Sequence, residues 1–391
     1  MNKKKIGILT LQNSNNYGAM YQCYALSKYL ENEGHEAFIL DYDMTRDNAH
    51  LLYYLTHPIP FALKLIYKKE LLLNKLIKTR KSASFIDRKN NYKDIFNEFR
   101  ASRLNIRQEK HDYKSLFQNC PSADVYICGS DQVWAADFLF TSPAFLLGFV
   151  PESIKRVTYA ASFGKNKLEP YLKNTFEKYA SKIDAISVRE KTGVEIVKSL
   201  TGQDAIHVLD PTLLLDRNDY SEIIDYSLVP TEPYIFVYKL DQDKALSGWA
   251  DSFINIISGR KSLSVLAVST NLTHPFEEAW KAIQPTPGQL LGLIEKSDLT
   301  VTNSFHGTVF SILLQTKFLS FARDVFKDKQ NVRMEEILIN LDLETFYCKP
   351  FFDIEQVYEN LGKPYEYEKV FNKLNIMRAS SKDFLQNAVR S

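Results

Sequence analysis

Cysteine is scarce in this chain of 391 residues. Its four cysteines (Cys23, Cys120, Cys128, Cys348) show no CxxC spacing, so no zinc site is expected. They read as free thiols in a reducing compartment. No H-E-x-x-H or comparable histidine spacing is present, so no obligatory metal is expected. Both the P-loop and the G-x-G-x-x-G fingerprint are missing, which removes the commonest phosphate-cradling loops. No apolar run reaches bilayer length. The basic start Lys3-Lys4-Lys5 is followed only by a short apolar run at 6–11, which reads as a strand rather than an export signal, so a cytoplasmic protein is expected. A net charge of +2 gives no bulk reason to expect nucleic acid as a partner.

What remains is a globular composition, 45% hydrophobic and 25% charged, too long for one ordinary core. Strand-like runs at 6–11, 37–41, 124–129, 157–164, 185–189 and 207–210 alternate with loops and helical patterns such as 21–33, which stops at Gly34. A doubly wound α/β domain over 1–228 follows, interrupted by a lysine-rich helical insertion at about 50–100. Residues 228–233 carry two prolines and read as a linker. A second alternation over 234–345 includes strand-like runs at 234–240, 264–269 and 299–303 and a helix at 287–296. The tail 346–391 is expected to form helices that pack back on the body.

Four constellations could carry chemistry. Val301-Thr302-Asn303-Ser304-Phe305-His306-Gly307-Thr308 is strand, polar turn and helix start, a setting that favours anions through free N–H groups and the helix dipole. His306 there can hold a phosphate or move a proton; a capped helix with an incidental histidine is the competing reading. Asn13–Gly18 suits a loop close to a polar ligand, or a plain asparagine-rich turn. Gly129-Ser130-Asp131-Gln132-Val133-Trp134 sets a carboxylate, an amide and an indole at a sheet edge, a mixture that suits sugars, or else a helix cap with Trp134 in the core. Arg189, after a short strand, is a bidentate clamp for carboxylate or phosphate, or a partner for a neighbouring acid.

In order along the chain, Asn16-Tyr17-Gly18-Ala19 with Gln22 and Ala25-Leu26, Gly129–Trp134, Tyr159-Ala160-Ala161-Ser162-Phe163-Gly164, Ser187-Val188-Arg189-Glu190, Asp210-Pro211-Thr212-Leu213-Leu214 and Thr302–Gly307 resemble the polysaccharide pyruvyl transferase family. The likeness runs from the first strand to about residue 335. It implies a GT-B-like fold, two Rossmann-type domains facing across a cleft, with C-terminal helices. It also implies transfer of pyruvate from phosphoenolpyruvate, as co-substrate and without a resident cofactor. The acceptor is a sugar of a bacterial surface polysaccharide or its lipid-linked precursor, and the product is a cyclic ketal. Arg189 and His306 match the positions associated with phosphoenolpyruvate. Some members carry an arginine where this chain has Ser304, which leaves a cation to be found; Lys165, Lys239 and Arg323 are candidates.

On this reading His306, Arg189 and Asp131 are catalytic. Arg189, Asn303, Ser304, His306 and Gly307 bind the donor, and Asn16, Tyr17, Asp131, Gln132 and Trp134 bind the acceptor. The basic segment 61–93 would touch anionic lipid if it lies on the inner membrane face, or is a solvated helix with one apolar side. A GT-B glycosyltransferase using a nucleotide sugar and a non-catalytic saccharide-binding protein are the rival functions.

Overall fold

Short apolar runs between helical segments build two sheets, parallel throughout, in the computed structural model, which describes residues 3–47, 83–135, 143–240, 244–269, 280–323, 332–349 and 353–390. The first sheet holds β1 (Lys5–Leu9), β2 (Glu36–Tyr42), β3 (Ile106–His111), β4 (Val125–Cys128), β5 (Lys155–Ala161), β6 (Ala185–Val188) and β7 (Ala205–His207). Their order is β3-β2-β1-β4-β5-β6-β7. The second holds β8 (Tyr234–Lys239), β9 (Ser264–Ser269), β10 (Lys281–Ile283), β11 (Leu299–Thr302), β12 (Phe318–Phe321) and β13 (Tyr347–Cys348), in the order β10-β9-β8-β11-β12-β13. Both orders reverse beside their first strand, at β1/β4 and at β8/β11. Parallel α/β sheets open a ligand crevice at such a reversal, beyond the carboxyl ends of the strands.

Inner strands such as β4 and β11 are buried along their whole length, as parallel strands covered on both faces must be. The edge strand β3 reads IRQEKH, mostly solvated, and carries no apolar alternation by which sequence could reveal it. The first helix, Tyr17–Asn32, starts four residues before the expected position. The Asn16 side chain accepts the Ala19 N–H at 3.2 Å and caps it there. Beyond its end Gly34 adopts φ 87°, the left-handed conformation that lets the chain turn into β2.

Helix Tyr17–Asn32 also joins the two units. It packs on helices Pro287–Lys296 and Phe305–Leu313. The Tyr17 hydroxyl donates to the Pro285 carbonyl at 2.7 Å and that of Tyr21 to the Pro287 carbonyl at 2.6 Å. The second sheet continues to Cys348, past residue 345. The C-terminal helix Tyr367–Arg390 then returns to the first unit: Arg378 donates to the Leu213 carbonyl at 2.7 Å, and Ser381 accepts the Leu209 N–H at 3.0 Å. Of the basic segment 61–93, residues 61–82 lie outside the described residues, and helix Ala83–Arg103 follows them. Its Arg100 donates to the carbonyls of Gln12 at 2.7 Å and Ser14 at 3.0 Å, fixing the loop after β1. Among the described residues no helix is long and apolar enough to cross a membrane.

Candidate active site

The loops that leave β4, β6, β7 and β11 converge on one carboxylate, Asp210. Its Oδ1 caps the short turn Pro211–Leu213 by accepting the Thr212 N–H at 3.0 Å. That fixes where Oδ2 lies. Arg189 Nη1 donates to Oδ2 at 2.6 Å, and the Ser130 hydroxyl donates to it at 3.3 Å. His306 Nε2, from the second unit, lies 3.7 Å from the same oxygen, just outside hydrogen-bond range. Burial alone would raise the Asp210 carboxyl. The imidazole and guanidinium beside it outweigh that and hold it well below the usual carboxylate range.

Three acids surround the Arg189 guanidinium: Asp210, Asp131 at 3.5 Å and Glu190 at 3.8 Å. Burial acts to lower its basicity, but these carboxylates raise it overall. Phe305 presents its ring 5.4 Å from the same guanidinium. Glu190 accepts a short hydrogen bond from the Ser162 hydroxyl. On the other side, Arg333 of helix Val332–Asn340 lies 3.9 Å from Glu190 and 5.9 Å from the Phe305 ring centre. Among the described residues, three buried polar atoms here have no hydrogen-bond partner: Arg189 Nε, Glu190 Oε2 and His306 Nε2. Buried polar atoms are rarely left so, and a gathering of them marks room for a polar ligand.

Gly18 completes the cluster. A Cβ on Gly18 would come within 2.1 Å of His306 Nδ1, so the ring packs directly on the first turn of helix Tyr17–Asn32. Every motif singled out in the sequence thus contributes to one place: Gly18, Ser130 with Asp131, Ser162, Arg189 with Glu190, Asp210 and His306. A family model for polysaccharide pyruvyl transferases matches residues 16–325, a span that contains all of them. The chain belongs to the polysaccharide pyruvyl transferase family.

Comparison of folds agrees with the two-unit arrangement of this pyruvyl transferase family member. It is similar over its full length to a Listeria monocytogenes structure assigned as a UDP-N-acetylglucosamine 2-epimerase, with TM-score 0.54 and 10% identity, covering 100% of this chain and 99% of that one. The UDP-GlcNAc 2-epimerase of Methanocaldococcus jannaschii gives TM-score 0.52 and 10% identity, covering 96% and 99%. At such identities the likeness concerns fold alone, a GT-B-like pair of Rossmann-type units. No curated protein sequence matches the chain.

Arg189, His306 and Asp131, expected to be catalytic in a pyruvyl transferase, lie together, and Ser304 caps the His306 helix by accepting the Gly307 N–H at 3.3 Å. That contact occupies the Gly307 N–H, so Gly307 serves by its lack of side chain: a Cβ there would lie 2.4 Å from Thr302 Oγ1. Asn303 is buried, and its amide accepts the Leu240 N–H at 2.6 Å and donates to the Leu240 carbonyl at 3.2 Å, tying the β8 and β11 loops together. Two acceptor assignments are corrected. Trp134 is 0% exposed, donates to the Phe145 carbonyl at 3.0 Å and packs on Phe163 and Phe176, so no sugar can stack on it. Tyr17 is equally buried, engaged with Pro285 between the units. Asn16 is half-buried and caps its own helix; Gln132 is half-buried and lies against Gly164. Among the candidate cations, Lys165 pairs with Glu169 and Lys239 with Asp251, while Arg323 lies close enough to repel Arg333. Asp210 lies inside a recognised motif that carries no role for it, and Glu190 enters the sequence reading only as an acid that could pair with Arg189. Arg333 lay in no motif, and sequence offered no signal for it.

Proposed function

We propose that this cluster transfers the pyruvyl group of phosphoenolpyruvate to two hydroxyls of one sugar, closing a cyclic ketal and releasing phosphate. The observation that supports this reading is the meeting of Arg189 and His306, from opposite units, at Asp210 Oδ2. A buried guanidinium suits the donor's carboxylate or phosphate. An imidazole beside an ionised carboxylate suits proton transfer.

The reaction begins when His306 delivers a proton to the donor methylene carbon, leaving an oxocarbenium-like centre at the neighbouring carbon. One sugar hydroxyl attacks that centre as Asp131 accepts its proton. The carbon–oxygen bond to phosphate then breaks, and the second hydroxyl closes the ring. Of the two protons released by the sugar, one balances the new methyl group and one ends on phosphate. The ionised Asp210 lies beside the imidazole, and burial keeps water from the cationic centre. No resident cofactor takes part. In this reading the acceptor is a lipid-linked precursor of a bacterial surface polysaccharide, met at the cytoplasmic face of the membrane.

The test is ligand-dependent thermal shift and phosphate release. Phosphoenolpyruvate should raise the melting temperature and, with a sugar acceptor, release phosphate. A shift given only by nucleotide sugars would replace this reading with a glycosyltransferase.

A further inference from the structure

Arg333 is a largely enclosed cation with only a partial complement. Its side chain is 11% exposed, and among the described residues its guanidinium donates no hydrogen bond. Its one ion pair there, with Glu190, is long at 3.9 Å, and that acid is shared with Arg189 at 3.8 Å. Asp131, the next acid, pairs with Arg189 at 3.5 Å. Burial first, then repulsion by Arg189 and Arg323, pushes the Arg333 pKa down to about 10. Its five N–H donors in a fixed fork adjoin a site where, among the described residues, Arg189 Nε and His306 Nε2 also lack hydrogen-bond partners. Enclosing a poorly paired guanidinium costs stability, and a bound oxyanion would supply the missing charge.

We propose that Arg333 holds an oxyanion of the donor opposite Arg189, the two guanidiniums sharing the Phe305 ring between them. The helix after β12 thereby supplies the cation that Ser304 does not. The bound group is a carboxylate or a phosphate, both of which match the guanidinium fork. This assignment rests on the phosphoenolpyruvate reading for its substrate, though not for its chemistry.

Calorimetry of the full chain with phosphoenolpyruvate, inorganic phosphate and pyruvate, on wild type, Arg333→Gln and Arg333→Lys, tests it. For Arg333→Gln we expect phosphoenolpyruvate affinity to fall about tenfold to a hundredfold, the loss of charge-assisted hydrogen bonds, without a lower melting temperature. Arg333→Lys should recover part of it, keeping the charge without the fork. The anion whose binding weakens in parallel, phosphate or pyruvate, names the group held. In turnover, KM for the donor should rise while KM for the acceptor stays. Wild type that binds phosphate but not phosphoenolpyruvate, with phosphate binding lost in Arg333→Gln, would uphold the anion site and sink the donor reading. Equal affinities in wild type and Arg333→Gln, or no binding of any of the three anions by wild type, would overturn the proposal.

Discussion

Oδ2 of Asp210 is approached by the guanidinium of Arg189, the hydroxyl of Ser130 and the imidazole of His306. Because these come from three loops and both sheets, small displacements at any one of them disturb the rest. His306→Ala should cut turnover by about a hundredfold, the usual worth of a positioned proton donor, with the fold intact by circular dichroism. Gly18→Ala inserts a methyl group where the imidazole lies, 2.1 Å from Nδ1. A displacement of that kind should lower kcat about a hundredfold, and this loss should vanish in a His306→Ala background. Equal losses in both backgrounds would mean that Gly18 acts on folding instead. At this scale sequence showed Arg189, His306 and Asp131 through their places after strands. It could not separate Trp134 in the core from Trp134 at a cleft, since an indole near a sheet edge serves either. Arg333 was invisible because its partners come from distant loops.

Among the elements, helix Tyr17–Asn32 does the most: its first turn backs His306 and its tyrosines reach the other unit. Tyr17→Phe and Tyr21→Phe each leave a buried prolyl carbonyl without its donor. Each should cost about 1–3 kcal/mol in urea denaturation. Values near zero would show that water replaces the hydroxyl. The strands bordering the reversals were legible because parallel strands are unbroken apolar runs. β3 was hidden by its solvated edge sequence, and β13 by having only two residues. The helix start at Tyr17 was misplaced because an asparagine cap at 16 looks like loop composition until its hydrogen bond is seen.

For the molecule as a whole, the buried Arg189–Asp210 pair links stability to pH. The folded Asp210 carboxyl titrates below its unfolded value, which is about 4. Its contribution is therefore complete above that value and disappears as pH falls from there toward the folded one. Stability measured by urea should decline below about pH 4, and Asp210→Asn should flatten that limb while costing about 3–5 kcal/mol at neutral pH. An unchanged acid limb in Asp210→Asn would assign the decline to other carboxylates. Two parallel sheets bring Arg189 and His306 together at Asp210, the arrangement that the proposed pyruvyl transfer needs. Mass spectrometry of lipid-linked oligosaccharides incubated with the protein and phosphoenolpyruvate tests that most directly. It should find one pyruvyl ketal gained per acceptor, lost when Arg189 or His306 is replaced by alanine; an unmodified acceptor, or one carrying a transferred sugar instead, would contradict it.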